Sequence, residues 1–191
     1  MAKNKKGVLI MNSIKKTCIA AVCVALCCVL PGMFHSVGLG TAFSPLHIPV
    51  LLCGVVCGPV FGILCGIIGP ILSSVVTGMP GAQMLISMVP ELAAYGLVTG
   101  LLMKLVRTGH IHADLYISLG TAMVVGRIVG GIAKALFYMG SGEAFTLAIW
   151  ASSYFVSTLP GIVCHLILIP LLVLTLEKAK VIPARYPKTA V

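Results

Sequence analysis

Acidic side chains are scarce in this sequence: Asp and Glu together number 4 in 191 residues. There is no Walker A loop, so ATP hydrolysis by that route is excluded. With so few acids, and neither an HExxH signature nor a nucleophile elbow, membrane hydrolase chemistry has no residues to work with. Aromatic residues are also few, at 6% with a single Trp, and no basic groove with interleaved aromatics exists for a nucleic acid. What fills the chain is apolar: 59% of residues are hydrophobic and 9% charged, with a mean hydropathy of +1.13. A soluble domain of this size has no interior large enough for that surface, so the composition is that of an integral membrane protein. At about 20 residues per span, there is room for roughly five to seven spans and for no separate soluble domain.

The formal net charge of +9 comes from residues that sit between apolar runs. Lys3, Lys5, Lys6, Lys15 and Lys16 precede the first run, Lys104 and Arg107 follow a middle one, and Lys178, Lys180, Arg185 and Lys188 come last. Basic residues in short flanking segments mark the cytoplasmic side. The charge is thus a topology signal, with anionic membrane lipids as partners and no nucleic acid. Only Arg127 and Lys134 lie elsewhere.

The 8 cysteines all fall within apolar runs, so a secreted disulfide framework is not the reading. Cys53 and Cys57 stand at i, i+4, but no His or acid joins them at ligand spacing. They read as small packing residues, and no metal or cofactor is expected. The N-terminal "KKTCIAAVCVALCCVLPG" imitates a secretory signal, yet more membrane segments follow, so it reads as a first transmembrane helix.

Spans are expected at about 17–33, 83–104, 115–138 and 146–176, the last kinked at "LPG", residues 159–161. Residues 46–77 admit one broken helix or a hairpin turning at "CGPVFG", and charge parity selects the hairpin. All basic residues outside the spans then lie on one face, although each half of the hairpin looks short for a crossing. The expected fold is an all-α bundle of six transmembrane helices with both termini cytoplasmic. Its segments are a basic N-terminal stretch 1–16, a membrane domain 17–177 and a C-terminal tail 178–191. Glycines 54, 58, 62 and 66, with Gly126 and Gly130, recur every fourth residue and predict close helix packing. Ala21 and Ala25 form a similar small pair, suited to internal packing or to docking another membrane subunit.

The stretch "GRIVGGIAKAL" at 126–136 puts two cations inside the fifth span. Lys134 lies near the outer surface, where its ammonium can snorkel. Arg127 lies about 16 Å deeper than the outer end, at ~1.5 Å per residue. A cation at that depth faces the bundle interior or a wet cavity and has a partner. Glu91 is the one acid well inside a span and falls at a similar depth. Two readings stand: an ion pair locking spans four and five, or a polar pocket where the guanidinium meets a ligand carboxylate or phosphate. His35, Ser44, His47, Thr77, Gln83, Tyr138, Ser141, Glu143, Trp150 and Tyr154 gather toward the same outer end as candidate lining, while His165 is placed toward the inner leaflet as a structural hydrogen-bonder. No inverted repeat of the kind common in secondary transporters is visible.

The motifs "SPLHIPVLLCGVVCGPVFGILCGIIGPILSSVVTGMP", "ELAAYGLVTGLL", "GRIVGGIAKAL" and "LPGIVCHLILIPLLVLTLE", in this order, resemble the substrate-binding (S) components of energy-coupling factor (ECF) vitamin transporters. The resemblance covers roughly residues 13–180. Where similar proteins often carry Lys or Arg in the "GPxxG" turn, this chain has Val60 and Phe61. The likeness implies six helices, a binding site near the outer surface, and partners: a transmembrane coupling (T) subunit and two cytoplasmic ATPases. It also assigns Ala21 and Ala25 to contact with the coupling subunit. It implies uptake by reorientation of the whole component in the membrane, with no catalysis by this chain. Arg127 and Lys134 favour a small anionic vitamin such as pantothenate, with riboflavin or another vitamin left open. The expected ligand-binding set is Arg127, Glu91, Lys134, His47, Ser44, Gln83, Tyr138 and Tyr154. The rival classes are a stand-alone proton-coupled carrier titrating Glu91, and a structural subunit without a ligand.

Overall fold

The computed structural model describes residues 2–3, 9–36, 38, 44–141, 150, 152 and 158–186. Most of the described residues lie in six helices: α1 (Ser13–Ser36), α2 (His47–Cys57), α3 (Pro59–Thr77), α4 (Ala82–Leu105), α5 (Ile111–Ser141) and α6 (Leu159–Lys178). Apart from them, β1 (Ala2–Lys3) and β2 (Leu9–Ile10) form a minimal antiparallel pair. Five helices, all but α2, are long and apolar enough to cross a bilayer. Apolar side chains such as Val22 and Val29 on α1, Leu64 and Val75 on α3, and Ile132 and Leu136 on α5 point outward. That is the pattern of a bundle solvated by lipid tails. The chain is a multi-pass membrane protein.

The hairpin expected between 46 and 77 forms, and Gly58 makes it. Its φ of 97° is open to glycine without steric cost, and Pro59 then opens α3 with the fixed φ a first helical residue needs. The two halves are unequal. α3 is a full span of 19 residues, so the expectation that both halves are short is corrected. α2 has 11 residues, about 16 Å at ~1.5 Å per residue, half of a hydrocarbon core. It starts inside the bundle, because Pro45, Leu46 and His47 are already buried. Backbone at that depth is tolerated only where protein surrounds it.

The glycine pattern does two different things. On α3 and α4 it brings backbones together: a Cβ on Gly62 would lie 2.7 Å from the Gly96 carbonyl carbon and 2.9 Å from Gly54 Cα. With no side chain between them, α2, α3 and α4 form one tightly packed unit. On α5, Gly126 faces the Tyr95 ring and Gly130 faces the Glu91 side chain. There the missing Cβ clears space for polar side chains of α4.

One end of the bundle collects the basic residues. The Cys57 thiol donates to the Lys16 carbonyl (3.6 Å), and Gly58 lies against Lys104, which brings α1, the hairpin turn and the end of α4 to one level. The C-terminal segment folds back there as a strap. Ile182 enters the core, while Arg185 Nε and the Tyr186 hydroxyl donate to buried Asp114 at 2.6 and 2.7 Å. Asp114 also accepts from the Thr108 amide (2.9 Å) and hydroxyl (2.7 Å). Strap and bundle enclose a cavity of about 200 Å³ lined by Val55, Met103, Arg107, Val173 and Tyr186. Cys23, Cys27, Cys53, Cys57 and Cys65 are buried free thiols between α1, α2 and α3. Among the described residues, no group of three or more His, Cys, Asp or Glu is arranged to hold a metal ion.

Candidate functional site

Four helices carry polar side chains to one level. Measured from the basic end, His47 lies about 16 Å up α2 from Gly58. Glu91, Arg127 and His165 each lie about 20 Å up from Lys104, Asp114 and Lys178, at ~1.5 Å per residue. His47, Glu91, Arg127 and His165 are all buried.

Glu91 is the centre. Its Oε1 accepts from the Tyr95 hydroxyl at 3.0 Å, one turn along α4, and lies 3.7 Å from His47 Nε2. Its Oε2 faces the open side of Gly130 on α5. The His47 ring packs edge-on to Tyr95 (centroids 5.1 Å apart) and stacks on His165 of α6 (5.7 Å, 19° between planes). Its Nδ1 donates to the Ser44 carbonyl at 3.1 Å. Ser44 adopts a positive φ of 45°, so this contact ties a turn in a sparsely populated conformation to the first residue of α2.

Arg127 stands on the opposite wall. Its guanidinium donates to Thr158 Oγ1 at 3.0 Å and lies near the Tyr95 hydroxyl. Its backbone carbonyl accepts from Trp150 Nε1 at 3.2 Å, and the indole packs onto Gly131. Tyr95 therefore stands between the carboxylate and the guanidinium. Of the two readings that depth left open, the direct Glu91–Arg127 ion pair is not formed: Glu91 contacts Tyr95 and His47, and Arg127 donates to Thr158.

Of the expected lining residues, the structure brings Glu91, Arg127, His47 and the Ser44 carbonyl together. It leaves others apart. Lys134 lies two turns farther out with its Nζ 6.0 Å from the centre of the Tyr138 ring, so these two meet each other above the cluster. Gln83 is exposed at the start of α4, and the Thr77 hydroxyl donates to Ser73 O (2.7 Å) at the end of α3. Tyr154, Glu143 and the side chains of His35 and Ser141 lie outside the described residues. His165 is corrected: the sequence reading set it apart as a structural hydrogen-bonder, but it lies two turns inside α6, which begins at Leu159, and stacks on His47. Trp150, among the candidate lining residues, meets the Arg127 backbone and Gly131.

Tyr95 and Thr158 are the functional candidates that the sequence reading missed, and His165 is one it set apart from the others. Tyr95 had a signal, since a hydroxyl four residues after a buried acid on a helix shares its face. Thr158 had none, because its partner lies 31 residues away. The glycines at 126, 130 and 131 are legible only against the side chains they accommodate.

The structure thus gathers a guanidinium, a carboxylate, two imidazoles and a phenol in the buried part of the bundle, with no nucleophile–base pair among these contacts. Neither a curated protein nor a solved structure is a match for the chain. A family model described as "ECF transporter, substrate-specific component" matches residues 15–173. Six helices, five of them spanning, around a buried polar cluster agree with that match, and the chain belongs to the family of ECF transporter substrate-specific components.

Proposed function

We propose that this chain captures a small anionic water-soluble vitamin, with pantothenate the best-suited candidate, from the side opposite the basic end. It then delivers the vitamin inward with a transmembrane coupling subunit and two cytoplasmic ATPases. The basic end, carrying both the 1–16 segment and the 178–191 tail, is cytoplasmic in this reading. The observation that carries it is Arg127, 6% exposed inside the helix bundle and set beside Tyr95 and Thr158. A guanidinium there is costly, and an arriving carboxylate offsets that cost through paired charge-assisted hydrogen bonds.

The basic half of the bundle supports reorientation over a through-channel. One to two turns below the cluster, Leu51, Leu119, Ala122 and Ile169 are wholly buried and form an apolar seal. Closed below, the site exchanges ligand only at its outer end, so that end has to be presented to the inside. Ala21 and Ala25 are exposed on α1, which suits docking to the coupling subunit better than internal packing.

The test is ligand identification by mass spectrometry of the purified protein, followed by binding titrations with a vitamin panel. Arg127→Ala is expected to weaken pantothenate binding by roughly 10- to 150-fold, the equivalent of about 1.5–3 kcal/mol for hydrogen bonds to a charged group. Unchanged affinity for every anionic vitamin would show that the guanidinium does not receive the ligand.

The His47–Glu91 pair also favours a second reading, a stand-alone proton-coupled carrier. Proteoliposomes containing this chain alone separate the two: accumulation driven by a pH gradient supports the carrier, whereas binding without accumulation supports the ECF component.

A further inference from the structure

The C-terminal strap leaves a cavity of about 200 Å³ against the basic end of the bundle. Sites that enclose a whole small ligand run to ~300–1,000 Å³, so this one fits one end of a larger molecule. Val55, Val56, Met103, Val173 and Ile182 give it apolar walls from α2, α4, α6 and the strap. Arg107 and Glu177 line the same cavity and have bonding capacity left over. Arg107, just past the end of α4, is exposed, and among the described residues no carboxylate lies within ion-pairing distance of it. Glu177, near the end of α6, is half-buried, and its Oε1 accepts from the Arg185 amide at 2.9 Å. The other polar lining is already engaged. Arg185 Nε and the Tyr186 hydroxyl donate to Asp114, and that hydroxyl also accepts from the Gly109 amide at 3.2 Å.

Arg107 and Glu177 thus share one cavity without pairing with each other. A positive and a negative group set apart in this way complement a ligand that carries both signs. A purely anionic group would meet the Glu177 carboxylate as well as the guanidinium, and a purely cationic one would meet the reverse. Position narrows the class further. The apolar helices end at this level, α4 at Leu105 and α6 at Lys178, and α5 begins here at Ile111. Headgroups lie at the ends of membrane spans, and basic pockets between helices there take them. Apolar walls beside the charged pair suit the glycerol and first acyl carbons of such a lipid.

We propose that the cavity beneath the C-terminal strap holds the headgroup of an amine-bearing phospholipid, its phosphate on Arg107 and its ammonium on Glu177. The site is separate from the His47–Glu91–Arg127 cluster and does not depend on which solute binds there.

The probes are short-chain phosphatidylethanolamine, phosphatidylglycerol with the same acyl chains, and free phosphoethanolamine. Each is added to the full chain purified in detergent and stripped of lipid. Native mass spectrometry counts bound molecules, and melting curves at rising concentration report affinity. The expected result is a single retained phosphatidylethanolamine, with phosphatidylglycerol weaker and free phosphoethanolamine weaker still. Arg107→Ala is expected to weaken both lipids roughly fivefold, the size of one basic contact at a membrane surface. Glu177→Gln keeps an oxygen for the Arg185 amide but loses the charge. It is expected to remove the preference for phosphatidylethanolamine, which a merely looser strap would not do. Neither substitution touches the Asp114 contacts, so both variants should melt near the parent without lipid, and each tests the site alone if the other fails to fold. Equal binding of the two lipids by the parent overturns the proposal. So does an unchanged preference in Glu177→Gln, or an unchanged phosphatidylethanolamine affinity in Arg107→Ala. Free phosphoethanolamine binding as tightly as the lipid would make the occupant a soluble zwitterion and overturn the lipid assignment.

Discussion

Gly130→Ala tests whether Glu91 is held against α5. A methyl at this position would lie 2.8 Å from Glu91 Oε2, 2.9 Å from its Cβ and 3.0 Å from its Cδ. Contact distances for such atoms are nearer 3.5 Å, so the side chain must retreat by roughly half an ångström or more. That displacement bears directly on the 3.0 Å bond from Tyr95 and the 3.7 Å approach of His47. Overpacking of this kind costs about 1–3 kcal/mol, while alanine in a helix returns up to ~1 kcal/mol relative to glycine. The net expectation is a protein less stable by up to about 2 kcal/mol, with pantothenate affinity reduced several-fold. The internal control is Gly120→Ala on the same helix, where a Cβ meets nothing within 4 Å. It should raise thermal stability by the propensity difference alone, about 0.5–1 kcal/mol. The assay is paired melting curves in detergent, with and without pantothenate, followed by Trp150 fluorescence. If Gly130→Ala melts as high as Gly120→Ala and binds as the parent does, Glu91 is not seated where the structure puts it.

Asp114→Asn should loosen the strap, because it leaves the buried end of the Arg185 and Tyr186 contacts short of a charge. A loss of about 3 kcal/mol, typical when one member of a buried pair is removed, would show as a lowered melting temperature. An unchanged melting temperature would mean the strap adds nothing to stability. Gly62→Leu should prevent assembly of the α2–α3–α4 unit, since the Gly96 backbone it would strike cannot move aside; recovery of monodisperse, ligand-binding protein would contradict this. Ala21→Leu with Ala25→Leu is expected to abolish co-purification with the coupling subunit, and retained co-purification would place that contact elsewhere on the surface.

How much of the site was readable depended on how far apart in sequence its partners lie. The depths of Glu91 and Arg127 followed from counting residues along a helix of known rise, and in the structure the Gly126–Gly130 turn of α5 packs against Tyr95 and Glu91. The partners did not follow. Depth puts two residues on one plane of the bundle, but helix rotation decides whether they face each other, and Tyr95 stands between these two. His165 was set apart because counting along one helix does not reveal the ring it stacks on, which belongs to α2. The paired small residues announced close packing without distinguishing glycines that admit a backbone from glycines that admit a side chain.

By itself, the sequence determined the solvent and the class of architecture. In hydrocarbon every backbone polar group has to be satisfied within the protein, by helices or a closed barrel, and continuous apolar runs about 20 residues long, without the strand alternation a barrel needs, select the helical bundle. The run lengths, the glycine and proline breaks and the one-sided basic residues then set the helices and their order. Only the tertiary structure decided that α2 begins halfway through the bundle, which brings His47 down to Glu91. It also decided that Trp150 and Thr158 close around Arg127. These are meetings of single side chains from distant segments, governed by packing angles and close contacts that no one-dimensional pattern encodes.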